Sequence, residues 1–546
     1  MLLLTVALIA PLWMSWRTLG DGSLWEFALL TGEYSGLRDW LLGTGSYISW
    51  WCVLLVKWTS ELGLNYVWVI KLFTTSLLVG LLFEVYLLCR DVVGLPEDRS
   101  LVCAVLTLAI GPWYLLVSYY VLVQLVCIFL ALMGHRLLWA RGTLTRSVGL
   151  CACFVGFQLN STIVLLIALH VIRLWTAPPQ HRRRSVFWGL AMFAAAVACF
   201  VGMRYAATTN LLYSNYNNLL DPTHTGNLVR LIRAAAMFTT WLTIPAVGLA
   251  LLWVTKSWLS NASDSSYAKS SHRSFALPMS IAAVLFIAAI APYILVGKGF
   301  ALFTPTAYGS GLTEQVLRHA YAGWPIAPTF ASNSARHMLL SAFALATLCV
   351  VLLDWLAFCL KKKVTALQIA LFVAPFALLF TLGGHWSRLQ QLYATEALLL
   401  GLREQSAPPA GVVEVAYDPA SPWLVSTVDG SVLLMRAWGK PQYFAVIYGS
   451  QVFANDVKWQ YHAYYKGVFK DRAEVSRQAM VGMQGFPGED CISRYTATLP
   501  SARPWELMFA QWFSALQRPA QVRYIGGDCV PGRILENPTP EKIVIP

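Results

Sequence analysis

The chain has 546 residues, of which 57% are hydrophobic and only 12% charged, with a mean hydropathy of +0.57 and a formal net charge of +13. A soluble domain carries about 25% charged residues, so this composition excludes an ordinary soluble protein and points to a polytopic membrane protein. The basic residues stand in short loops between apolar runs, which is the positive-inside pattern of membrane topology and not a nucleic-acid footprint.

The first apolar run, Leu2–Trp16, has no basic leader and no small-residue cleavage site, so it reads as a retained first helix. The stretch Thr18–Gly43 follows, too charged for lipid and too apolar for water. It reads as a loop and short helix along the outer membrane surface, with Asp21 just beyond the end of helix one. Ser46–Gly63 is apolar but short and carries Lys57, Glu61, Trp51 and Trp58, which suits a helix lying in the interface. If it spanned, every later basic loop would change sides.

Helix two is expected over Tyr66–Leu88, ending at Arg90. A helix pair over Leu101–Tyr114 and Tyr119–Trp139 turns at Gly111-Pro112, where proline lacks the donor a continuing helix needs. The segment Ser147–Trp175 has basic residues at both ends. Two short helices with the polar tip Gln158–Thr162 keep both ends on one side. Further helices are expected over Val186–Tyr205, Leu231–Val254, Ala276–Leu295, Met338–Leu360 and Ala366–Leu382. The loops Thr208–Asn227 and Gly297–Arg336 fall outside, and the basic loops Lys256–Arg273 and Lys361–Lys363 inside.

The count is about eleven transmembrane helices, with the N-terminus cytoplasmic. After Arg403 the long apolar runs stop. Val412–Val415, Ser431–Leu434 and Tyr443–Ile447 read as strands, so residues 401–546 form a C-terminal extracytoplasmic α+β domain behind a membrane domain of residues 1–400. Nine of the eleven cysteines lie in or beside apolar segments. Cys491 and Cys529 alone lie in the polar tail, where an oxidising compartment would let them form a disulfide.

A first helix, an acidic residue at its outer end, amphipathic surface helices, a second helix ending in arginine, and a short middle hairpin with Phe157-Gln158 at its tip together resemble the GT-C glycosyltransferases. Among these, the bacterial and phage-type enzymes that modify O-antigen are most similar. The resemblance covers residues 1–175, and Asp21 is followed by glycine where several branches have a second acid. It implies a polyprenyl-phosphate-linked sugar as donor and a glycan, lipid-linked or protein acceptor. It also implies an inverting single displacement with Asp21 as base, in the inner membrane of a bacterium with the C-terminal domain in the periplasm.

Glu26 and Asp39 are the other acids placed to assist. A leaving phosphate needs fixed positive charge. On the outer side that charge is scarce: Arg318, His319, Arg336, His337, His385 and Arg388 are the candidates, with Arg204 at the outer end of its helix and Lys298 behind them. Tyr213, Tyr216, Tyr308 and Trp324, in outer loops, would stack on sugar rings. No metal-ligand motif occurs, so no cofactor is expected, although a divalent metal is compatible with this chemistry. Two other functions fit the same composition. One is an O-antigen ligase or polymerase acting on lipid-pyrophosphate glycans, which would lean on outer arginines and a histidine. The other is a lipid or polysaccharide transporter, which would show pseudo-symmetric halves that this sequence lacks.

Overall fold

The computed structural model describes residues 2–13, parts of 25–42, 47–118, 121–207, 220–261, 275–305, 326–328, 333–407, 412–417, 427–439, 444–448 and 491–529. Its membrane part runs α1 (Leu2–Trp13), α2 (Tyr47–Glu61), α3 (Tyr66–Leu88), α4 (Glu97–Ile110), α5 (Leu122–Leu138), α6 (Thr143–Gly156), α7 (Ser161–Thr176) and α8 (Pro179–Ala207). It continues with α9 (Thr225–Thr239), α10 (Thr243–Val254), α11 (Ala276–Leu295), α12 (Ala342–Cys359) and α13 (Ala366–Arg403). A short antiparallel ribbon, β1 (Phe303–Pro305) with β2 (Ile326–Pro328), lies between α11 and α12.

This is a helical membrane protein. Among the described residues, five segments are long and apolar enough to cross a bilayer: Tyr66–Val93, Ser185–Met203, Thr225–Trp258, Ala276–Leu295 and Ala342–Cys359. Counting the bent pair Ala366–Pro375 and Ala377–Arg403 as one span makes six. The remaining apolar segments are helical but shorter, such as the 14-residue α6, which is about 21 Å long at ~1.5 Å per residue. The chain breaks between α6 and α7 at Phe157–Asn160, where the sequence places the polar tip, and the Asn160–Thr162 side chains follow at the turn.

Small residues let α5 and α6 approach closely. A Cβ on Gly134 would meet the Cys153 nitrogen and the Gly149 oxygen, both at 2.7 Å, and one on Gly156 would meet Ala131 at 2.8 Å. Without a hydrophobic driving force in lipid, close packing of this kind is what holds helices together.

Two sequence expectations are corrected in the C-terminal part. Helix eleven does not stop at Leu382. α13 runs 38 residues to Arg403, and the part after its bend, Ala377–Arg403, is about 40 Å long at ~1.5 Å per residue, well beyond the apolar run that predicted it. The 400/401 division falls inside this helix. Leu398, Leu399 and Leu402 near its end pack with Val413, Val415, Tyr417, Leu433 and Leu434 in a second core.

That core belongs to a four-stranded sheet of order β4-β3-β5-β6, built from β3 (Val412–Tyr417), β4 (Phe444–Tyr448), β5 (Cys491–Thr498) and β6 (Gln521–Cys529). Ser431–Leu434 is not a strand but part of α14 (Thr427–Trp438). β3 and β4 are parallel, and a parallel pair needs a crossover, which a helix supplies. The short helix α15 (Pro504–Phe509) lies between β5 and β6.

Candidate functional site

The direction of the packed helices defines two ends. Arg99, in the first turn of α4, donates to the Asp354 carboxylate near the end of α12 at 3.0 Å and to the Val364 carbonyl before α13 at 2.5 Å. At the other end of α4, the Thr381 hydroxyl of α13 donates to the Ala109 carbonyl at 2.5 Å. α4 and α13 therefore run together, and α12 runs against them.

The end that holds Arg99 also gathers Arg136, Arg146, Arg173 and Lys361–Lys363. Lys362 donates to the Asn261 side chain at 2.6 Å. Here Arg136 grips the buried Glu84 through two hydrogen bonds of 2.7 and 2.8 Å. This is the basic end.

A different polar set occupies the opposite end. His385 and Arg388 are not in a loop after a finished helix, as the sequence suggests. They lie within α13, 4% and 5% exposed. Tyr114 meets them from the 3-10 turn Trp113–Ser118 that follows Gly111-Pro112, its ring edge-on to His385 at 6.1 Å. Gly384 makes this approach possible, since a Cβ there would sit 2.3 Å from the Tyr114 ring. Arg388 donates to Gln391 at 2.9 Å. The His385 Nε2 is buried with no hydrogen-bond partner among the described residues, and such an atom is costly to leave unmet.

A second group lies at the same end. The Tyr293 hydroxyl, near the end of α11, bonds Ser161 at the tip of the α6–α7 hairpin at 3.0 Å. His337 stacks on Tyr293 at 4.9 Å. Gly297, with φ of 68°, takes the left-handed position that ends α11, and the Lys298 amide turns back to the Tyr293 carbonyl at 2.9 Å. Burial pushes the Lys298 amine down to about 8. Burial, then the charges of Arg336 and Lys298, hold His337 well below the usual imidazole range. Arg336 itself is half-buried.

The acids are distributed unequally. Glu26 is 5% exposed and ion-paired with Arg436 of α14, joining the N-terminal segment to the C-terminal part. The pair gives Glu26 a contact that ties the N-terminal segment to α14. Asp21 and Asp39 lie outside the described residues, as do Arg318, His319, Tyr213, Tyr216, Tyr308 and Trp324. Arg204 lies in the last turn of α8, and its side chain is outside the described residues. The residues flanking Asp21 in the chain are informative. Trp13, at the end of α1, donates to Thr75 at 3.2 Å and packs on Trp68 near the start of α3. Glu26 meets α14. Both therefore lie away from the basic end.

Composition points to Arg336, His385 and Arg388 as scarce outer cations. It misses Tyr114 and Tyr293, because a lone hydroxyl in an apolar run has no sequence signature of its own, while Ser161 falls in the polar tip that the sequence marks as a turn. The one hint is the Gly-Pro pair before Tyr114. Among the described residues no cluster of three His, Cys, Asp or Glu side chains could hold a metal ion. No protein-family model matches the chain, and no curated relative matches it.

Proposed function

We propose that the protein is a membrane glycosyltransferase of GT-C type, moving a sugar from a polyprenyl-phosphate donor to a glycan, lipid-linked or protein acceptor on the outer face of a bacterial inner membrane. The observation that carries this reading is the buried polar set His385, Arg388 and Tyr114, with Lys298, Arg336 and His337 at the same end, opposite the basic end. Positive-inside topology assigns the basic end to the cytoplasm. In the eleven-span arrangement this makes the polar end extracytoplasmic, with the sheet of β3–β6 beyond it in the periplasm.

In this reading the acceptor hydroxyl attacks the anomeric carbon of the donor sugar. The carbon–oxygen bond to phosphate breaks, polyprenyl phosphate leaves with the electron pair, and the hydroxyl proton passes to Asp21. Arg388, Arg336 and Lys298, with Arg318 and His319, would neutralise the leaving phosphate. Tyr213, Tyr216, Tyr308 and Trp324 would hold sugar rings. Asp39 would orient the acceptor.

The test is transfer from a polyprenyl-phosphate sugar in membranes. Loss of a general base costs about 10²–10⁴ in rate, so Asp21→Asn is expected to lose that much while remaining folded. Near-full activity in that variant would overturn the assignment.

A second reading, a ligase or polymerase acting on lipid-pyrophosphate glycans, is favoured by one observation: the buried His385 beside Arg388. There Arg388→Ala and His385→Ala would abolish transfer, while Asp21→Asn would leave it nearly intact.

A further inference from the structure

The short helix α15 reverses the usual polarity of a surface helix. Its inward side carries Glu506, Leu507 and Ala510, all buried. The polar bonds are on that side too: Glu506 accepts from Arg518 at 2.6 Å and from the Arg503 amide at 2.6 Å. The outward side of α15 and of the turn after it carries Trp505, Phe509, Trp512 and Phe513, exposed by 46%, 43%, 45% and 60%. In water a solvent-facing side of this kind would be polar, and a clustered apolar patch marks an interaction surface.

What covers it follows from where α15 sits. Leu379, Leu382, Trp386, Leu389 and Tyr393 are spaced by three and four residues, so they form one stripe along α13. At the lower end of the stripe Leu379 and Leu382 are 70% and 50% exposed, as lipid-facing residues are. At the upper end Tyr393 and Trp386 pack with Leu507 and Ala510. Met508, on α15 itself, packs on the core of the helical bundle. From Leu382 to Tyr393 α13 rises about 16 Å at ~1.5 Å per residue. α15 therefore stands directly over the face of α13 that lower down meets lipid, within reach of the headgroup layer. Trp and Phe on an amphipathic surface are what that layer selects.

We infer that α15 and the turn after it are a membrane-docking element, with Trp505, Phe509, Trp512 and Phe513 seated in the lipid interface beside α13. The element ties the C-terminal sheet to the bilayer surface. The inference needs a membrane protein but does not depend on the sugar-transfer chemistry.

The test uses the full chain in phospholipid nanodiscs. A benzophenone amino acid replaces Phe513 in one variant, Trp512 in a second and Glu404 in a third. Glu404 caps α13 about 27 Å beyond Trp386, at ~1.5 Å per residue. After illumination, mass spectrometry is expected to find lipid adducts at positions 513 and 512 several-fold above position 404. All three positions are exposed in the fold, so the substitutions leave the core untouched. Lipid adducts at 513 and 512 no more abundant than at 404 would overturn the inference. So would crosslinks from 513 to an acceptor glycan or to a second protein chain in place of lipid.

Discussion

At the scale of single residues, charge pairs are judged by which partner water can reach. Glu84 is buried, while Arg136 is 37% exposed. Arg136→Ala would strand a buried carboxylate, and breaking a buried pair in that way costs about 3–5 kcal/mol. Glu84→Gln leaves a guanidinium that solvent can satisfy, and should cost about 1.5–3 kcal/mol, the scale of one charged hydrogen bond. Thermal unfolding in detergent would show the order, and equal losses would refute it.

His337 makes a pH prediction. Its imidazole is held well below the ordinary range by burial, then by Arg336 and Lys298. An unfolded histidine titrates near about 6.5. Below that pH the unfolded chain takes up a proton that the folded chain refuses, so stability falls as pH drops from there toward the depressed folded value. Above it the group contributes nothing. His337→Gln should flatten the melting-temperature profile between pH 7.5 and 5, and an unchanged slope would remove His337 as its source.

At the scale of elements, α13 joins two cores. Its lower part packs on α4, its middle carries His385 and Arg388, and its end carries Leu398, Leu399 and Leu402 into the sheet. A continuous helix transmits rotation. One alanine inserted between Gln390 and Gln391 would turn everything above it by about 100°. It would separate Trp386, below the insertion, from Leu507 and Ala510 above it, and break the Arg388–Gln391 bond. The expected result is faster proteolysis of the C-terminal part and loss of activity, with membrane insertion unchanged. Wild-type protease resistance in the insertion variant would mean that the two parts are not rigidly coupled.

At the scale of the whole molecule, sidedness and sheet register meet at the two tail cysteines. β5 and β6 are antiparallel, and Cys491 is the register partner of Cys529. Directly opposed residues in such a pair have Cα atoms about 4.5–5.5 Å apart, inside the range a disulfide needs. If the sheet is periplasmic, protein from intact cells should show the two residues linked in a non-reduced digest. Replacing both by serine should cost about 2–4 kcal/mol. Two free thiols would place the sheet on the reducing side and overturn the topology.

Hydropathy and charge are properties of a residue and its near neighbours, so the sequence by itself determined the helical membrane class, the apolar segments, the turn at Gly111-Pro112, the hairpin tip near Gln158 and the bias of basic loops to one end. Strands β3 and β4 were legible from their β-branched and aromatic runs. Ser431–Leu434 was misread because its run suits either a buried strand or a buried helix, and only the parallel pairing of β3 with β4 demands a helix there. Tertiary structure alone decided the rest. Tyr114 and His385 lie 271 positions apart in the numbering and meet because Gly384 leaves room for a ring, and Glu26 is ion-paired with Arg436, far along the chain. Contacts of that kind arise from the packing of complete helices, and no local pattern encodes them.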